Sequence, residues 1–146
     1  MAVFMKLLND VSRSQSIYRQ AHVSATDLSA GQYAFCLAIC REPGRTQEAL
    51  ARDLCLNKST VARGVNRLEE RGYVVRAPQA GDRRCLLVYP TDKLRAVIPE
   101  ILQASAEWNA LLSEGISDED MAVFLSVLER MRERALTLRE LSEADV

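Results

Sequence analysis

Thr46-Gln47-Glu48-Ala49-Leu50-Ala51-Arg52-Asp53-Leu54-Cys55-Leu56-Asn57-Lys58-Ser59-Thr60-Val61-Ala62-Arg63-Gly64-Val65-Asn66-Arg67-Leu68-Glu69-Glu70-Arg71-Gly72 is the stretch that decides the fold. Thr46 has the side chain of a helix N-cap, and the helix it opens runs through Ala49, Leu50 and Leu54. Cys55-Leu56-Asn57 then makes a tight turn, and Asn57 caps a second helix reaching Arg71. Gly72 stands where a helix commonly ends in a left-handed residue. Two β-prone runs follow, Tyr73-Val74-Val75-Arg76 and Cys85-Leu86-Leu87-Val88-Tyr89, joined by a loop containing Pro78 and Gly81 and tipped by Gly81-Asp82-Arg83-Arg84. Helix, turn, helix and basic-tipped hairpin, in that order, predict a winged helix-turn-helix, which lays one helix in a DNA major groove with a hairpin beside it.

On a helical wheel of Lys58–Arg71, Val61, Val65 and Leu68 fall on one side and must pack inward. Ser59, Arg63, Asn66 and Arg67 fall on the other. Arg can bond guanine with two parallel hydrogen bonds, Asn can do the same with adenine, and hydroxyls suit phosphate oxygens. The first turn, with Lys58, Ser59 and Thr60, adds free backbone N–H groups that favour a phosphate. At the hairpin tip, Asp82 two residues before Arg84 is expected to hold the Arg84 guanidinium in one rotamer, with Arg83 beside it, for a neighbouring minor groove. Glu69 and Glu70 lie a turn or more from the basic end.

Outward from this segment, charge follows the same division. The 146-residue chain has a net charge of −1, but Arg41 to Arg84 holds ten Arg/Lys against six Asp/Glu, and the remainder nine against fourteen. Basic charge is concentrated where the motif lies. Composition at 48% apolar predicts a globular chain. No apolar run is long enough to span a bilayer, and the first residues lack the layout of a secretory signal. The cysteines, Cys36, Cys40, Cys55 and Cys85, form no disulfide framework, so a reduced cytoplasmic setting and no membrane partner are expected.

Upstream, apolar positions at helical spacing predict a helix over residues 3–22, interrupted in pattern by Ser12-Arg13-Ser14-Gln15. Ser29 with Gln32 forms a capping box for a helix that Pro43-Gly44 stops. Downstream, Pro90-Thr91-Asp92 opens a long helix in which Pro99 predicts a kink or a later start. Gly115 ends it, and Ser117 with Asp120 caps a last helix bearing Val123, Phe124, Val127, Leu128, Met131, Ala135 and Leu138. The fold class is therefore mainly α with a small β-hairpin wing. Residues 29–91 are expected to form the DNA-binding domain, and 1–28 with 92–146 a helical dimerisation region. The terminal helices carry more apolar surface than one small domain covers, which favours a homodimer.

The runs Leu54–Arg63, Leu68–Val74 and Gly81–Arg84, together with Ser29–Tyr33 and Arg41–Glu48, resemble the multiple-antibiotic-resistance regulator (MarR) family over nearly the whole chain. The resemblance implies an obligate homodimer whose first, fifth and sixth helices interlock. It also implies binding to a pseudo-palindromic double-stranded operator, usually as a repressor, with release by a small ligand or by oxidation. Ser59, Thr60, Arg63 and Arg67 would then meet the major groove, and Asp82 would orient Arg84. One departure is that Thr91-Asp92-Lys93 is followed by Leu94, where the family commonly has Gly. The family's peroxide-sensing branch uses a cysteine in the first helix, and none stands there in this chain.

Tyr18, His22, Tyr33, Cys36 and Trp108 are candidate lining for an effector pocket, although aromatic residues at such positions are more often core or rim. Cys36 and Cys40, four apart, read as inert thiols, and one histidine is too few for a metal site. No cofactor and no catalytic group is expected, since nothing resembles a nucleophile elbow or a phosphate-cradling loop. The alternative to DNA binding is a winged-helix module that binds protein, which would call for an acidic or apolar face where Arg63 and Arg67 stand.

Overall fold

The computed structural model describes residues 3–24 and 26–144. In chain order the elements are α1 (Val3–His22), α2 (Ala30–Arg41), β1 (Arg45–Thr46), α3 (Gln47–Asp53), α4 (Lys58–Glu70), β2 (Val74–Gln79), β3 (Asp82–Pro90), α5 (Asp92–Leu112) and α6 (Asp118–Ala144). The chain divides after Trp108 into two compact units, the second built from the end of α5 and from α6. Among the described residues, no helix is long and apolar enough to cross a membrane.

The helix starts are set by local chemistry. The Thr46 hydroxyl accepts from Ala49 N–H at 3.1 Å, and Asn57 Oδ1 accepts from Thr60 N–H at 2.8 Å. Ser29 N–H donates to Gln32 Oε1 at 3.0 Å, and Asp120 N–H to Ser117 Oγ at 3.1 Å. Gly72 ends α4 at φ +77, where a side chain would cost strain. Thr91 donates to the carbonyls of Gly72 and Tyr73, at 2.7 and 3.0 Å, and receives Leu94 N–H at 3.4 Å. It therefore starts α5 and closes the exit of α4 without the glycine that the family commonly places at 94.

Three features differ from the sequence expectation. A third strand is present: β1 pairs with β3, giving an antiparallel sheet of order β1-β3-β2. The hairpin is longer than its apolar runs, reaching Gln79 and Asp82, with Pro78 inside β2 opposite Leu86 and an irregularity at Pro78/Gln79. Pro is tolerated there because β2 is an edge strand, free to forgo a ladder donor. Finally, α5 begins at Asp92 and carries Pro99 within it, so there is no late start.

The core lies in the first unit. Leu28, Tyr33, Ile39, Leu50, Val61, Val65, Leu68, Tyr73, Val74, Val88, Leu94 and Ile101 are its largest fully buried side chains. The predicted inward face of α4 is thus the buried one. Gly64 faces the Phe35 ring of α2: a Cβ there would lie 2.8 Å from Phe35 Cζ and 2.9 Å from Cε1. Phe35 is buried and cannot swing aside. Gly64→Leu should therefore destabilise the fold by about 1–3 kcal/mol despite its better helix propensity. Urea unfolding checks this, and a variant as stable as the parent would show that α2 yields.

By contrast, among the described residues neither α1 nor α6 buries one in the single chain. Val3, Leu7 and Ile17 on α1, and Val123, Leu125 and Leu138 on α6, are each more than half exposed.

Candidate nucleic-acid interface

The outer face of α4 carries Lys58, Ser59, Arg63, Asn66 and Arg67, all exposed, with Thr60 partly covered. Asn57 organises the first turn, because its Oδ1 accepts from both Ser59 Oγ at 3.0 Å and Thr60 N–H. Thr60 Oγ1 in turn accepts from Arg63 Nη2 at 3.2 Å, which points that guanidinium back along the helix toward its N-terminus. Lys58 Nζ pairs with Glu48 of α3 at 3.1 Å, an exposed bridge that is free to exchange for a phosphate.

The wing tip carries Asp82, Arg83 and Arg84, all exposed. Gly81 makes the turn at φ +85, with open space around it. Asp82 Oδ1 accepts from the Arg84 backbone N–H at 3.0 Å. The carboxylate therefore fixes the turn of the chain and not the Arg84 guanidinium.

A brace that local sequence patterns do not show joins helix to wing. Arg76 on β2 donates from Nη2 and Nε to the two carboxylate oxygens of Glu69, at 2.9 and 3.1 Å, and from Nη1 to Gln47 Oε1 at 3.2 Å. Its backbone N–H also reaches Glu69 at 3.1 Å. This two-pronged pair sets the angle between α4 and the hairpin, and cancels one acidic charge on a helix whose outer face is basic. The hydrogen bonds from Arg76 hold the Glu69 carboxyl below its usual range, and the same bonds raise Arg76.

Because the Glu69 pKa is lower folded than unfolded, the pair's contribution is complete above the unfolded value of about 4.3 and fades as pH falls through the folded one. Glu69→Gln should therefore unfold earlier than the parent at pH 7, and the gap should close in acid. A gap independent of pH would contradict this.

The effector candidates are only partly brought together. Tyr18 and His22 stack with ring centroids 3.9 Å apart, and Trp108 lies 5.3 Å from Tyr18. Tyr33 and Cys36 are instead fully buried on α2. Tyr33 donates its hydroxyl to Leu28 O at 3.4 Å and lies under the Arg19 guanidinium, 5.4 Å from the ring centroid. Arg19 Nε is buried without a hydrogen-bond partner, and burial lowers the group's pKa. Desolvation pushes the Cys36 thiol up to about 12 and raises Cys40 as well, so neither holds a reactive thiolate. A separate open cleft of about 500 Å³ lies between α1 and the start of α2, lined by Ser16, Ile17, Gln20, Ala21, Ser29, Ala30 and Gly31. None of the five effector candidates lines it. Among the described residues, no cluster of three or more His, Cys, Asp or Glu could hold a metal ion.

Known proteins share this architecture. The family model of the MarR family matches residues 18–84. The transcriptional regulator HosA of Escherichia coli O127:H6 (strain E2348/69 / EPEC) is 30% identical over 105 residues, covering 72% of this chain and 78% of HosA. The crystal structure of MarR superposes with a TM-score of 0.78 at 30% identity, covering 93% of this chain and 92% of that one. That of the transcriptional regulator SlyA gives 0.90 at 25% identity, covering 94% and 97%. With its winged helix-turn-helix, its basic recognition helix and these relatives, the chain belongs to the MarR family of DNA-binding transcriptional regulators and is not an enzyme.

Proposed function

We propose that this protein is a homodimeric repressor that binds a pseudo-palindromic operator through α4 and the β2–β3 wing of each protomer and is released by a small ligand. The observation that carries this reading is the set of exposed cations on α4 and at the wing tip, Arg63, Arg67, Arg83 and Arg84, on an acidic chain. Major-groove reading falls to Arg63, Asn66 and Arg67, and phosphate contacts to Lys58, Ser59 and Thr60. Arg83 and Arg84 reach a minor groove from a wing whose turn Asp82 holds.

The helical dimerisation region, residues 1–28 and 92–146, is supported by the uncovered apolar faces of α1 and α6. A partner copy covering them removes apolar area from water at about 25 cal/mol per Å². Ligand release fits better than thiol oxidation at α2, since Cys36 is buried and kept protonated. An aromatic ligand would find stacking faces on Tyr18, His22 and Trp108, and an acceptor group on it would find the unpartnered Nε of Arg19.

Hydroxyl-radical footprinting on DNA upstream of the protein's own gene tests the assembly. The proposal expects two protected half-sites about one helical turn apart, related by two-fold symmetry. A single protected half-site would contradict the dimer.

A further inference from the structure

The exit of the recognition helix is tied to α1 by a chain of hydrogen bonds that needs no DNA contact of its own. Tyr73, three residues past the end of α4, donates its hydroxyl to Asp27 Oδ1 at 2.6 Å. The same hydroxyl meets Thr26 Oγ1 at 2.7 Å, and Thr26 Oγ1 accepts from Leu28 N–H at 3.1 Å. One orientation satisfies all three: Leu28 N–H to Thr26, Thr26 to Tyr73, Tyr73 to Asp27, each bond polarising the next. Arg71, the C-cap of α4, adds Nη1 to Asp27 O at 3.1 Å, and Lys93 Nζ both reaches Arg71 O at 2.6 Å and lies 4.3 Å from the Tyr73 ring centroid. At the other end of the segment, Gln20 of α1 accepts from Ala30 N–H at 2.7 Å and donates to Leu28 O at 3.5 Å. Gln20 thereby satisfies an amide that the first turn of α2 leaves unpaired.

We infer that residues 26–30 act as a strut between α1 and the recognition helix, and that Gln20 and Tyr73 are positioning residues for operator binding. This rests on the DNA-binding reading of α4. Gln20 and Tyr73 act in series through one segment: Gln20 fixes its far end, Tyr73 its near end, and either loss frees the exit of α4. Gln20 also lines the open cleft between α1 and α2. Whatever displaces its amide from Ala30 therefore slackens the helix that reads DNA.

The test is a double-mutant cycle in operator affinity with Gln20→Ala and Tyr73→Phe. Each single variant should weaken binding about fivefold, the scale of one hydrogen bond, and the double variant should lose little more than the worse single. Gln20→Glu, which keeps the acceptor for Ala30 N–H but loses the donor to Leu28 O, should recover part of the affinity lost in Gln20→Ala. Fully additive losses, unchanged affinity in the singles, or no rescue by Gln20→Glu would overturn the strut.

Amide hydrogen exchange without DNA gives a second readout, with faster exchange at 58–71 expected in both Gln20→Ala and Tyr73→Phe. Should the parent itself fail to bind DNA, the reading of α4 falls, and the exchange data alone still decide the strut: unchanged protection overturns it. If Tyr73→Phe unfolds at the assay temperature, the exposed Gln20 pair of variants carries the same decision.

Discussion

Removing the guanidinium of Arg63 or of Arg84 should weaken operator binding in two distinguishable ways. Arg63 lies on the outer face of α4, aimed by Thr60, where it can bond a base edge. Arg63→Ala should cost about 1–3 kcal/mol against the cognate sequence, roughly 5- to 150-fold, and much less against unrelated DNA. Arg84 sits on a tip whose turn is fixed by Asp82. Arg84→Ala should weaken binding to all sequences and lower the slope of log affinity against log salt by about one for each protomer. Neither residue is part of the core, so thermal unfolding should hardly change. Unchanged affinity and salt slope in both variants would show that this basic face does not meet DNA.

The second large effect is expected on α6, well outside the winged helix-turn-helix. Phe124, Val127, Met131 and Leu138, between 36% and 64% exposed, recur at spacings of three, four and seven, which lines them along one stripe of the helix. Such a seam is unfavourable in water and needs a partner. Phe124→Glu combined with Met131→Glu should turn a dimer into a monomer in sedimentation. It should also cut operator affinity at least about 100-fold, because two half-sites are then bound independently rather than at high effective concentration. The winged domain should keep its fold, since none of these residues belongs to its core. A double variant that still sediments as a dimer would move the interface elsewhere.

The parts of this fold that were legible in sequence are those decided by neighbours along the chain. Thr46, Asn57 and Ser117 cap helices because a short polar side chain meets an amide three residues on, and Gln32 reaches back to the Ser29 amide for the same reason. The buried stripe of Val61, Val65 and Leu68 follows from helical periodicity alone. Strand β1 was not legible: Arg45-Thr46 is too short for any pattern and is a strand only because β3 offers it an edge. The Glu69–Arg76 brace spans a helix–strand junction, where spacing along the chain says nothing about direction in space. The effector candidates scattered for a different reason. On α2 almost every residue is apolar, so its sequence could not say which face meets the core, and Tyr33 and Cys36 proved to be on it. The hub at Tyr73 combines residues from four segments and had no local signature.

The most direct test is a fluorescence-anisotropy titration of the full chain on DNA upstream of its own gene, at 50 and 200 mM salt, with an unrelated duplex as control. A dimeric operator-binding regulator should show saturable binding of two chains per site, strong preference over the control, and a steep loss of affinity between the two salts, on the order of several phosphate contacts per dimer. Absence of binding even at the lower salt, or equal affinity for both duplexes, would contradict that reading and turn attention to a protein partner for the same face.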